Sequence, residues 1–315
     1  MNDSAIVTLV VSGIAFGTPI VLATVGEILV ERGGVLNLGI EGMMLVGAVS
    51  GFWLTQQTAN ALLGLAMGTA MGGLLGLIFA GAAVSLRVNQ VVLGLAFWIF
   101  GIGLSAYIGE SGDPALAGQR ALATLQPVFG EGLRDLPVVG PVLLGHDVMV
   151  YLSWVLVAVA SLYLFRTRAG LVLRAVGDDP ASADAMGIDV TRIRYAHTMI
   201  GGAGAGLAGA YISVELIPSW VEGLTSGLGW IAIALVVVAG WRPWRALAGA
   251  YVFGALSRLG FTLQVAGVKL PTELLAAIPY VFAIVALVLV SRSIRRQRTE
   301  SPVYLAQPYV REELT

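Results

Sequence analysis

The sequence of 315 residues has no cysteine, one lysine (Lys269) and two histidines (His146 and His197). Without thiols it forms no disulfide, no thiolate metal site and no cysteine nucleophile, and cysteine usage does not indicate a redox compartment. The lysine stands in AGVKLP, so the chain has no Gly-x-x-x-x-Gly-Lys-[Ser/Thr] phosphate cradle and is not expected to hydrolyse nucleotides itself. Neither histidine has the paired spacing of a metal site. GxSxG and HExxH are also missing, so no metal ligand, bound cofactor or catalytic residue is expected and an enzyme is disfavoured. Charge is scarce as well: at 12% charged residues and a net charge of -1, the chain offers no general attraction to nucleic acid.

What fills the sequence instead is apolar. With 57% hydrophobic residues, the chain lies outside the soluble class and inside the multi-span membrane class. A helical crossing takes roughly 20 apolar residues. Nine such stretches are expected near Ala5–Val30, Leu36–Thr55, Ala61–Leu86, Val91–Ile108, Val148–Phe165, Tyr195–Leu216, Leu228–Gly240, Trp244–Gln264 and Thr272–Ser291. The fold class is therefore all-α and polytopic, with eight to ten spans in one transmembrane unit over 1–299. MNDSAIVTLVVSGIAFGTPI lacks a basic n-region and a cleavage site, so it reads as a retained first span. Leu228–Gly240 is short for a crossing and reads as a half-helix or broken span.

The arginines orient the bundle. With the C-terminus in the cytoplasm, that side holds fourteen (32, 87, 166, 168, 174, 192, 194, 242, 245, 292, 295, 296, 298 and 311). The other side holds Arg120, Arg134 and Lys269, and Arg258 lies within a span. By the positive-inside rule, the polar insert 166–194 and the tail 300–315 are cytoplasmic, and the N-terminus and the loop 110–147 face outward. The insert carries a short helical pattern and reads as a handle gripped by something soluble.

Gly64, Gly68, Gly72 and Gly76 recur every fourth residue, the pattern of a helix face open to close approach by a neighbour. Small residues from Gly201 to Gly209 mark a second, centrally placed helix. Polar residues at membrane depth are the candidate pathway: Asn37 and Glu41 four apart on the second span and so on one face of it, Asn89 and Gln90 opening the fourth, Trp98 two turns on, and Trp230. Each has a structural reading beside the functional one. Glu41 is either a gate or a group satisfied between helices, Asn89 and Gln90 cap a helix or meet a polar solute, and Trp220 and Trp230 stack on a flat ring or sit at the interface. Glu27 and Glu215, near span ends, read as hydrated interfacial carboxylates.

ERGGVLNLGIEGMMLVGA, NQVVLGLAF, LRAVGDDPASADAMGIDVTRIRY and WIAIALVVVAGWRPWRALAGAYVFG together resemble the permease subunits of bacterial nucleoside and simple-sugar ABC importers, in order over nearly the whole chain. This family includes ribose and branched-chain amino acid permeases, and the first block and the GWRPW turn look most like the shorter nucleoside permease. The resemblance implies a type II-like importer permease in the bacterial cytoplasmic membrane. It also implies a second homologous permease, two ATP-binding cassette subunits that use ATP and Mg, an extracytoplasmic solute-binding protein and a small polar solute. Asp179, Pro180, Ala181, Ser182, Ala183, Asp184, Ala185, Met186 and Gly187 then form the ATPase-coupling helix. Only the Ala-Asp-Ala-Met-Gly-Ile core at 183–188 survives of the longer coupling motif of older importer permeases. Competing readings are a simple-sugar permease, a proton-coupled transporter using Glu41, and a membrane scaffold or receptor that moves no solute.

Overall fold

The computed structural model describes residues 3–111, 113, 116, 120–265, 271–291 and 301–310. Among the described residues twelve α-helices follow one another: α1 (Asp3–Arg32), α2 (Ile40–Thr58), α3 (Ala61–Ala80), α4 (Gln90–Gly109), α5 (Glu131–Arg134), α6 (Val148–Arg166), α7 (Arg168–Asp178), α8 (Pro180–Ala185), α9 (Val190–Tyr211), α10 (Leu228–Ala239), α11 (Pro243–Val265) and α12 (Thr272–Ser291). Short polar residues set the starts. Asn60, Asn89, Asp147, Thr167, Asp179 and Asp189 each accept a backbone N–H of the first turn of α3, α4, α6, α7, α8 and α9, which supplies an acceptor to donors that a helix start otherwise leaves unpaired.

Each of the nine expected spans overlaps a helix, although residues 36–39 of the second precede α2. Among the described residues six are long and apolar enough to cross a bilayer: Ile6–Arg32, Ala61–Ser85, Gln90–Gly109, Val148–Arg166, Val190–Leu216 and Pro243–Gln264. Of the other three, α2 carries Glu41, Gln56 and Gln57 and α10 has 12 residues, while α12 is a 20-residue helix that is apolar over most of its length.

α9 packs against α1, α2 and α3 at the centre of the bundle. Its small residues make this possible: a Cβ on Gly206 would meet the backbone of Gly68 and Gly72, and one on Gly47 of α2 would meet Gly206 itself. Gly64 faces Thr55 and Gly51 of α2, Gly68 faces both α2 and α9, and Gly72 and Gly76 face α9. Backbone-to-backbone contact recovers the dispersion that missing side chains would otherwise have supplied.

Segment 301–310, read from sequence as a tail, is folded back on the bundle. The Tyr304 and Ala306 amides donate to the carbonyls of Gly177 and Gly34 (2.9 and 3.2 Å), and Leu305 packs against the apolar cluster that includes Ile28 and Trp241.

Candidate functional site

Between α1 and α2 the chain is unwound over residues 35–39, and three of its amides meet side chains. Leu36 N donates to Gln90 Oε1 (2.7 Å), Asn37 N to Glu27 Oε1 (3.1 Å) and Gly39 N to Asn37 Oδ1 (3.1 Å). Three polar side chains thus substitute for helix bonds that the break removes. Asn37 precedes α2, so its spacing of four from Glu41 does not put the two on one helical face, contrary to the sequence reading. Glu27 is fully buried, which replaces the expectation that it stays hydrated. Glu215 likewise accepts the Leu125 amide (2.5 Å) instead of reaching water alone.

Glu41 is almost completely buried, and its carboxylate accepts from Thr225 Oγ1 (2.6 Å), Gly227 N (2.9 Å) and Gly229 N (2.6 Å). Gly227 is the residue before α10, with φ +83°, so a carboxylate on α2 caps the first turn of a different helix. The positive end of the α10 dipole offsets the buried charge. Only a glycine fits at 229, because a Cβ there would lie 2.7 Å from the Cα of Glu41. The other end of α10 is fixed too. Gly240 ends it at φ +62°, and Trp241 Nε1 donates to Glu31 Oε2 (2.6 Å), with the Arg32 guanidinium 5.9 Å from the indole centroid.

A cavity of about 370 Å³ opens where α10 begins, lined by Glu41, Leu45, Trp98, Ile102, Glu222 and Trp230 among others. This volume is in the range of small-molecule sites. Trp98 and Trp230 meet edge to face, 5.6 Å between centroids and 86° between planes. Trp98 stands eight residues beyond Gln90 in the 20-residue α4, roughly 12 Å along its axis at 1.5 Å per residue and so near mid-depth. Of the pathway candidates, the structure brings together Glu41, Trp98 and Trp230. Asn37, Asn89 and Gln90 are instead bound to backbone at the break and at the α4 cap. Trp220 is buried away from the cavity against Gly109, its Nε1 donating to Ser105 (3.3 Å). Glu222 was not singled out in the sequence: it lies in the polar connection before α10, and no periodicity marks it.

At the end of the bundle that carries the insert, α7 and α8 form a hairpin sealed by Val176, Ala183 and Val190. Asp179 caps α8 through Ser182 N (3.0 Å) and Ser182 Oγ (2.5 Å), and these hydrogen bonds hold its carboxyl below the usual carboxylate range. Because the folded pKa is depressed, the contribution of this cap is complete above the unfolded carboxylate pKa and fades only as pH falls through the lower folded value. Asp179→Ala is therefore expected to fray α8 at neutral pH, seen as faster amide exchange at Ser182 and Ala183 than in the parent. Pro180 and Ala183 point inward, Ala181, Ser182, Ala185 and Gly187 are exposed, and Met186 is 82% exposed. Gly187 turns the chain at φ +81°. Beside α8 lies a second cavity, of about 460 Å³, lined in part by Ser85, Arg87, Asp184, Thr191 and Tyr309. In the loop before α6, burial lowers the pKa of His146, so its imidazole is neutral at pH 7, and its Nε2 lies 3.0 Å from the Val142 carbonyl. His197 is bound to Tyr163 and to the Ile193 carbonyl. Among the described residues no cluster of three His, Asp or Glu side chains is arranged to hold a metal.

Residues 9–290 match the family model described as branched-chain amino acid transport system / permease component. A Haloferax volcanii protein, TsgC13, provisionally described as a glucose ABC transporter permease, is 39% identical over 94% of this chain and 95% of its own length. The guanosine ABC transporter permease protein NupQ of Bacillus subtilis is 32% identical over 87% and 89%. Each of these organisms also has a second, less similar permease named for the same solute, 29% and 25% identical. Among solved structures, a chain of a metal-chelate type ABC transporter in an inward-facing conformation shares the fold with a TM-score of 0.50. It is 14% identical and the match covers 89% of this chain and 84% of that one.

Proposed function

We propose, from the premise that this chain belongs to the branched-chain amino acid transport system / permease component family, that it is the membrane permease half of an importer for a nucleoside or related small polar solute. Members of this family are permease components of ABC transporters and not enzymes. The observation that carries the solute assignment is the mid-depth cavity at the start of α10, with two indoles and two carboxylates, Glu41 and Glu222, on its wall. Indole faces and edges suit a flat heteroaromatic ring, and Glu222 offers acceptors to ring N–H and ribose hydroxyl groups. A simple-sugar cargo is the second reading, favoured by the 39% identity to TsgC13. Proton coupling through Glu41 is disfavoured, because both of its oxygens are already engaged with donors of the α10 turn.

In this reading the insert faces the cytoplasm and α8 docks into one of two ATPase subunits. A second permease closes the pathway, and a solute-binding protein delivers cargo to the outer face. ATP, with magnesium, is bound and hydrolysed by those partners, and this chain supplies the lever and the wall of the pathway. The C-terminus is cytoplasmic and the N-terminus lies outside, the orientation that the arginine distribution supports.

The test is uptake by vesicles holding the complete transporter, with guanosine and glucose as alternative cargoes. ATP-dependent entry of guanosine with little glucose is expected, and the reverse result would replace the nucleoside assignment with the sugar one. Survival of uptake after the proton gradient is collapsed separates it from a secondary transporter. Within the same assay Met186→Glu is expected to leave insertion unchanged and to reduce uptake by at least about fivefold, the scale of an anchor lost from an interface centre. Undiminished uptake by that variant would remove α8 from the coupling contact.

A further inference from the structure

Segment 301–310 makes bonds to several separate parts of the insert end of the bundle, and nothing in its composition announces this. Val303 N reaches Asp178 Oδ1 (3.4 Å), Tyr304 N reaches the Gly177 carbonyl at the end of α7, and Ala306 N reaches the Gly34 carbonyl at the start of the break. The Gln307 carbonyl accepts from Arg194 Nη1 (3.4 Å) on α9, and Tyr309 donates its hydroxyl to Asp184 Oδ2 of α8 (2.9 Å). The Tyr309 ring closes the apolar cluster of Val176, Ala183 and Val190 that seats α8.

Arg194 is the centre of this arrangement. It is 2% exposed, and its Nε donates to the Gly33 carbonyl (3.1 Å) just past the end of α1. A cation at the carbonyl end of a helix is favourably placed. One buried guanidinium therefore joins α9, the end of α1 and segment 301–310. From Gly33 the chain runs through the unwound residues 35–39 directly into α2 and Glu41, the wall of the mid-depth cavity. Asp184, Tyr309, Gln307, Arg194 and Gly33 thus form a continuous run of contacts from the exposed lever to the break that precedes the cavity.

We infer that segment 301–310 is a positioning element for transport, with Tyr309 and Gln307 tying α8 to the α1–α2 break so that displacement of the lever reaches the cavity wall. This rests on the reading of α8 as the ATPase contact. A short exposed helix of six residues has little surface of its own to hold it, and a strap bonded at both ends gives it one fixed place relative to the break.

The experiment uses the complete reconstituted transporter and compares three forms: the parent, Tyr309→Phe, and deletion of residues 301–315. The readout is the ratio of solute taken up to ATP hydrolysed, measured with guanosine and with glucose so that the identity of the cargo is decided separately by the parent. A drop of threefold or more in that ratio for the deletion, with a smaller drop for Tyr309→Phe and with ATPase subunits still bound, is expected. An unchanged ratio in the deletion overturns the inference. A second measurement does not depend on transport. The parent has no cysteine, so spin labels can be placed through Ala181→Cys and Leu86→Cys. Their distance distribution is expected to broaden when Tyr309→Phe or the deletion is added. If the distribution keeps its width in both, the segment does not hold α8 and the inference falls, including where the deletion form yields too little protein for uptake.

Discussion

Glu41→Ala is expected to be the most damaging single change in the cavity wall, abolishing uptake together with the stable fold. The substitution leaves Thr225 Oγ1, Gly227 N and Gly229 N without their acceptor at membrane depth. Each buried donor left unpaired costs about 1–3 kcal/mol, and these costs are not fully additive. A combined loss of roughly 3–5 kcal/mol is a large share of the 5–15 kcal/mol that typically separates folded from unfolded chains. Glu41→Gln retains one acceptor oxygen but turns an NH2 group toward backbone donors, so an intermediate loss of about 1–2 kcal/mol is expected. Denaturant titration in detergent micelles, followed by tryptophan fluorescence, measures both. A Glu41→Gln protein as stable as the parent but unable to transport would reverse the assignment and restore Glu41 as a charge carrier.

The sequence makes the helices legible because lipid imposes a length rule that a single chain displays directly. It also shows the half-helix, since Leu228–Ala239 ends at a glycine that adopts φ +62° and is followed by the Trp-Arg-Pro-Trp turn. What it leaves open is which polar residue answers which backbone group. Asn37, Gln90 and Glu41 share the same look in one dimension: polar side chains in apolar runs. The first two are committed to the break and the third to a helix more than 180 residues away in sequence. A residue's role as a cap in trans depends on where another element begins in space, and no local period encodes that. Segment 301–310 is hidden for a related reason. Its bonds are mostly backbone amides and carbonyls reaching Gly34, Gly177 and Arg194, and main-chain donors look alike at every position. Trp98 and Trp230 could be named as candidates but not as partners, and their 5.6 Å contact is a product of the α4–α10 approach.

Two neighbouring glycines in α3 provide the sharpest contrast in the bundle, and Gly72→Val is expected to prevent correct assembly while Gly73→Ala is tolerated. A Cβ on Gly72 would lie 2.6 Å from the Cα of Gly206 and 2.7 Å from its nitrogen. Both are backbone atoms of α9, which cannot rotate away as a flexible side chain would. Accommodation requires α3 and α9 to separate along their shared length, and since α9 also packs on α1 and α2, separation disturbs those contacts too. Overpacking in a well-filled core costs about 1–3 kcal/mol. A backbone collision at the central contact belongs at or above the upper end of that range. Gly73 faces the Ala203 Cβ at 3.5 Å, an ordinary contact, so a methyl group fits there without movement. Alanine is also the better helix former by about 1 kcal/mol, so Gly73→Ala is expected to hold or slightly raise stability. The measurement is the fraction of monodisperse protein after gentle solubilisation, with the unfolding midpoint for the variants that survive. Equal behaviour of the two variants would mean that α3 and α9 do not approach as closely as their backbones indicate.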